Sequence, residues 1–209
     1  MKKFLFILFF VSLSVHIYAK KFTIMVSPEG DAANQGRTLA DGYERGFTRQ
    51  YAQALKEALE QDSNIRVIFS HENNETASQE HKANFANRLQ VDLYLSINFY
   101  ASEKPIIQIY YYQSAPFSAP INAQELVLYP MNKAYVKNQL TTCNWSTKWR
   151  SLNQYSGQLH ADGPTPAPIK QLEGIIAPAF VLDMGAQKML DVHAYIKPIS
   201  QIVMDIAHE

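Results

Sequence analysis

The chain has 209 residues, and 47% of them are apolar, enough for one domain of ordinary size with a sizeable core. Its 19 basic and 19 acidic residues cancel, so the basic excess that a nucleic-acid binder needs against phosphate is missing. Cys143 is the single cysteine, which excludes an intrachain disulfide and a thiolate metal site and leaves the core to hold the fold.

The N-terminus runs "MKK", then the apolar "FLFILFFVSLSV", then "HIYAKK". A positive start, an apolar stretch and a small residue at its end read as a secretory signal peptide over residues 1–19, cut after Ala19. The apolar run is short for a membrane span, and an uncleaved anchor is the competing reading. No cysteine lies beside the cut, which argues against a lipid anchor. Cleavage removes Lys2 and Lys3 and leaves a mature chain, residues 20–209, of net charge −2, secreted or periplasmic and free of the membrane.

Lys21–Ser27, "KFTIMVS", reads as a buried first strand. A polar loop with three glycines follows, "PEGDAANQGRTLADG". In the next segment Tyr43, Phe47, Tyr51, Leu55, Ala58 and Leu59 fall on one helical face. Asp41 is placed to cap that helix, with Glu44 at the capping-box spacing. "NIRVIFSH" reads as a second strand. Thr76 with Gln79 is expected to open a second helix, with Ala83, Ala86 and Leu89 on its apolar face. Asp92–Asn98 is a third strand, and "PIIQIYYYQ" a fourth of high β-propensity. From Asn122 to Leu140 the pattern is helical, interrupted by Pro130. Thr141–Pro168 is the least regular stretch. "APAFVLDMG" is a last buried strand, and Val192, Tyr195, Ile199, Ile202, Val203 and Ile206 mark a closing helix that Pro198 kinks or starts. Strands alternating with helices predict an α/β layer fold.

Three segments carry a resemblance. "KFTIMVSPEGD", "ANRLQVDLYLSIN" and "IKQLEGIIAPAFVLDMG" are similar, in order and spacing, to conserved segments of the zinc-dependent N-acetylmuramoyl-L-alanine amidases, which cut the bond between N-acetylmuramic acid and L-alanine in the cell wall. The resemblance spans roughly Phe22 to Ala207. It implies a single α/β domain with a mixed, mostly parallel sheet, helices on both faces and a site at the ends of the first, third and last strands. It also implies a zinc held by His, Glu and His, with a second glutamate as general base. On this sequence the first His position falls on Gly30, or on Glu29 if the loop is one residue shorter. The ligand glutamate falls on Glu44, the second His on Asn98 and the base on Asp183.

These substitutions oppose metal chemistry. Glycine has no donor, and a neutral amide is a poor zinc ligand. One carboxylate without imidazole cannot fix the ion or acidify its water. Asp183 is one methylene short of a glutamate's reach to that water. Each residue also has a plain structural reading. Glu44 completes a capping box, Asn98 pairs with backbone at a strand end, and Asp183 holds loop N–H groups. Lys82, where the family often has Arg, makes an ion pair or lies on a solvated face. His71, His81, His160 and His193 lack the spacing of a two-histidine metal motif, and a site rebuilt on His160 and a carboxylate is the only alternative they offer. Phe99, Tyr100, Tyr110, Tyr111 and Tyr112 read as core and cross-strand pairs. Trp145 and Trp149, four apart in a polar segment, are the candidates for glycan or partner contact.

Three functions follow as expectations. The first is a catalytically degenerate, secreted amidase-like protein with no cofactor, binding peptidoglycan fragments or an envelope partner through Glu29, Glu44, Asn98 and Asp183. The second is an active amidase with a rearranged zinc site. The third is an envelope interaction module with nothing in the cleft.

Overall fold

The computed structural model describes residues 20–112, 130–152, 160–188 and 193–209. The expected signal peptide, the start of the helical pattern at Asn122, and Val192 lie outside them.

The buried run Phe22–Pro28 forms β1, one strand in from the edge of a six-stranded sheet. Its neighbours are β4 (Ile65–Phe69) and β5 (Leu93–Ala101), both parallel to it. β8 (Ala179–Ala186) runs parallel to β5, β6 (Ile106–Tyr112) antiparallel to β8, and β7 (His160–Ala167) parallel to β6. The strand order is β4-β1-β5-β8-β6-β7. Residues of β1, β5 and β8 are buried almost throughout, as parallel strands covered on both faces require. This is the mixed, mostly parallel sheet that the sequence predicts.

Alternation of side chains divides the core in two. On one face Ile24, Val26, Leu95 and Ile97 meet α1 (Glu44–Leu59), α3 (Pro130–Trp149) and α4 (Ile196–Ala207) through Tyr51, Leu55, Leu59, Trp149, Ile199 and Val203. On the other, Met25, Tyr94, Ala179 and Val181 meet α2 (Gln79–Leu89) and the 3-10 turn Lys170–Leu172 through Ala83, Ala86 and Leu172.

Several expectations need correction. Asp41 does not cap α1: the N-cap is Tyr43 without a side-chain bond, and residues 38–39 and 42–43 pair as a small hairpin, β2 with β3, that leads the chain in. Tyr43 is therefore 52% exposed rather than on the buried face. Ser78, not Thr76, caps α2, its hydroxyl accepting from His81 N at 3.2 Å. Leu89, in the last turn of α2, is 43% exposed. Pro130 is the first residue of α3, a position where a missing N–H costs nothing; the part of the helical pattern before it lies outside the described residues. The stretch read as irregular holds the rest of α3 and the whole of β7. Proline at 164 and 166 hides β7 in the sequence. The strand tolerates both because it lies at the sheet edge, paired only with β6.

Candidate functional site

The C-terminal ends of β1, β5 and β8 lie side by side, with Pro28 opposite Ile97 and Asn98 opposite Asp183. In α/β sheets this is the edge where ligands bind. Glu29 continues β1 beyond the strand, its N–H donating to Ile97 O at 2.9 Å. The loop then turns back through Gly36 and Arg37 to the start of α1.

Glu44, the first residue of α1, is 5% exposed. Its Oε1 accepts from Phe99 N at 2.8 Å and its Oε2 from Arg37 N at 3.0 Å. The carboxylate thus ties the loop to the end of β5 across the cleft floor. This replaces the capping box, because no bond returns from Glu44 to residue 41. Gly36 makes room for it: at φ +75° a Cβ there would lie 2.7 Å from Glu44 Oε2.

Asn98 is 4% exposed. Its Nδ2 donates to Gln171 Oε1 at 3.3 Å and its Oδ1 accepts from Ser96 Oγ at 3.4 Å, so side chains rather than backbone satisfy it. Ser96 Oγ also lies 3.3 Å from Glu29 Oε1, which the buried Lys82 meets at 3.2 Å. Lys82 is therefore an ion-pair partner, and the solvated-face reading fails. Glu29, Gly30, Gly36, Arg37, Glu44 and Asn98 line a cleft of about 350 Å³.

Asp183 takes no loop N–H among the described bonds. Instead Arg37 Nη1 donates to its Oδ1 at 3.0 Å and to Phe99 O at 3.3 Å, with the guanidinium 5.9 Å from the Tyr100 ring centre. Burial pushes the Asp183 carboxyl up, and the charge and hydrogen bond of Arg37 pull it back without returning it to the ordinary carboxylate range. Arg37 and Gln171 carried no signal in the sequence. Arg37 lies in a polar stretch with no periodicity, Gln171 lies in one of the resembling segments but at no position expected to carry the site, and only the fold brings residue 37 against residue 183.

The imidazoles among the described side chains lie elsewhere or are engaged, and of His160 only the backbone place at the start of β7 is described. His71 is buried; its Nε2 donates to Gly30 O at 3.2 Å, and its Nδ1 faces Ser70 Oγ at 2.8 Å. His81 is on the exposed side of α2, His160 opens β7, and the His193 ring packs 6.3 Å from Tyr51. Trp149 is not a surface contact: it is 1% exposed and packs on Phe180 at 5.4 Å. Trp145 lies against Phe22 and donates its Nε1–H to Glu209 at 2.9 Å. Trp149 is thereby removed as a surface contact, whereas Trp145 is partly exposed and borders a groove with Phe22 and Thr141, away from the cleft.

The donor set does not fit zinc. Gly30 offers no side chain, Asn98 is an amide already bonded at both ends, and both Glu44 oxygens accept backbone N–H groups. Among the described residues no three His, Cys, Asp or Glu side chains converge as a metal site requires.

The family model for N-acetylmuramoyl-L-alanine amidase matches residues 24–197. The chain belongs to that family. Solved structures agree in fold. An N-acetylmuramyl-L-alanine amidase of Mycobacterium smegmatis is 16% identical with a TM-score of 0.63, covering 90% of this chain and 98% of its own. An N-acetylmuramoyl-L-alanine amidase of Nostoc punctiforme is 10% identical with a TM-score of 0.61, covering 91% and 99%. The catalytic domain of another, from Bacillus (Paenibacillus) polymyxa, is 12% identical with a TM-score of 0.59, covering 88% and 94%. No curated protein sequence gives a significant match.

Proposed function

We propose that this chain is a secreted, catalytically degenerate amidase-like protein that binds peptidoglycan fragments without cleaving them and needs no zinc. The observation that carries the reading is the ion pair of Arg37 with Asp183. A general base must be free to take a proton from water; here a guanidinium holds the carboxylate that stands at that position. A second favourable point is the donor set, an amide and a glycine where two imidazoles would be needed. The cleft keeps the means to bind. The amide N–H groups of Gln171, which lines the cleft, and the remaining N–H groups of Arg37, half exposed, can donate to the carbonyls of a muropeptide.

Export rests on the signal sequence. No helix among the described residues is long and apolar enough to cross a membrane. A mature N-terminus at Lys20, read by N-terminal sequencing, is the expected result; a retained Met1 would favour the anchor.

The test combines three measurements on the purified mature chain. Elemental analysis is expected to find no stoichiometric zinc, muropeptide digestion no release of stem peptide, and sacculus sedimentation retention of the protein. Zinc together with stem-peptide release would establish the active alternative. Loss of sacculus retention would leave the interaction module.

A further inference from the structure

Beyond Asp183 the sheet carries a second polar feature on the same face. Gln108 of β6 stands opposite Asp183, and Asp162 of β7 stands opposite Gln108. Side chains at paired positions project to one face, so the three form a row across β8, β6 and β7. Tyr100 and Tyr110, each two residues from a member of the row or its partner Asn98, flank it on that face. The Tyr110 hydroxyl donates to Gln108 Oε1 at 2.8 Å. Gly185 clears the space for Tyr100: a Cβ there would stand 2.7 Å from Tyr100 Cζ. Asp162 is exposed, while Tyr100, Gln108, Tyr110 and Asp183 are half-buried. Both tyrosine hydroxyls are pushed up, first by burial and then by the neighbouring Asp183, which places the groups in one electrostatic cluster.

We propose that this row is a glycan-binding track, joined to the cleft through Arg37, which lines the cleft and bonds Asp183, and that it takes the polysaccharide strand of the wall rather than its stem peptide. The proposal deepens the wall-binding reading and rests on it. Three features favour sugar. Aromatic rings stack on the apolar faces of pyranoses and keep a hydroxyl at the edge. Carboxylates and a side-chain amide accept and exchange hydrogen bonds with sugar hydroxyls at several angles. Neighbouring strands are ~4.8 Å apart, comparable with the length of one pyranose unit, so successive strands present one polar group per sugar. Charge points the same way. Asp162 has no cation of its own among the described ion pairs, so the outer track disfavours the carboxylates of a stem peptide and accepts a neutral glycan.

The probe is an N-acetylglucosamine hexamer, titrated calorimetrically into the mature chain, with whole sacculi sedimented in parallel. Saturable binding of the hexamer is expected. Asp162→Ala, at an exposed position, is expected to weaken it at least threefold, and Tyr110→Ala at least tenfold. Tyr110→Phe, which keeps the ring, should stay within about threefold of the parent. Unfolding midpoints identify any variant that fails to fold, and Asp162→Ala then decides. Sacculus retention without hexamer binding would overturn the glycan track and leave the wall-binding reading standing. Failure of both would end both. Hexamer binding unchanged by Asp162→Ala and Tyr110→Ala would place the sugar elsewhere and overturn the track.

Discussion

At the scale of single residues, the cleft is tied together by internal bonds. Glu44 satisfies two backbone N–H groups in a buried place. Glu44→Ala leaves both unpaired and should cost about 2–4 kcal/mol, read as a lowered urea midpoint. Glu44→Asp, one methylene short of both, should cost less but more than about 1 kcal/mol. Arg37 and Asp183 are coupled in a similar way. Arg37→Met strands a half-buried carboxylate and should destabilise the fold by about 1–2 kcal/mol at neutral pH, the exposure of the guanidinium keeping the loss below that of a fully buried pair. Asp183→Asn in that background should recover most of it. The sign with pH follows from the raised carboxyl. The unfolded chain ionises Asp183 first, so the penalty grows as pH rises from the ordinary value of 3.8 through the folded one, and Arg37→Met should steepen that loss. His71 works in the opposite direction. Burial, then the charge of Lys82, then Arg49, hold its imidazole below the ordinary 6.5. The unfolded chain therefore takes a proton first as pH falls. The contribution of neutral His71 is whole above 6.5 and is lost below it. Thermal midpoints of His71→Gln should fall less between pH 7 and pH 5 than those of the parent.

At the scale of elements, the sheet has two edges and treats them differently. At the centre of β4 side chains from α1 and its C-cap cover Val67: Lys56 Nζ donates to Val67 O at 2.6 Å, and Glu60 Oε1 accepts from Val67 N at 2.9 Å. The two residues also pair with each other at 2.7 Å, one helical turn apart. An edge strand with satisfied polar groups cannot recruit another strand. Glu60→Ala should cost about 1 kcal/mol and raise the rate of aggregation followed by light scattering. β7 is protected by composition instead, with proline at 164 and 166 and no β-branched run. α3 is anchored by Trp149, whose replacement by alanine should cost about 3–5 kcal/mol, whereas Trp145→Ala at the rim should cost less than about 2 and leave sacculus retention intact.

At the scale of the whole molecule, the frame and the strand ends do different things. The parallel centre, β4-β1-β5-β8, and the two cores on its faces keep the amidase architecture, while the residues at the strand ends bind one another. Addition of equimolar zinc should leave the melting temperature unchanged within about 1 °C, because a ligand stabilises only the state that binds it. The central strands and α1, α2 and α4 were legible in the sequence, since burial on one or both faces imposes a period of two or 3.6 or a continuous apolar run. That positions 30 and 98 carry a glycine and an amide, with no imidazole, was legible too, because a donor atom is a property of the residue itself. β7, the caps of α1 and α2, and the burial of Trp149 were not. Each depends on a neighbour distant in the chain: an edge position that excuses proline, a hairpin that feeds a helix, a sheet that lies under an indole. The meeting of Arg37 with Asp183, and the alignment of Asp183, Gln108 and Asp162 across three strands, was likewise set only by folding. Sequence alone determined which groups this protein has to offer; the register of its strands decided which of them stand within reach of one another, because hydrogen bonding acts over a few ångströms and takes no account of distance along the chain.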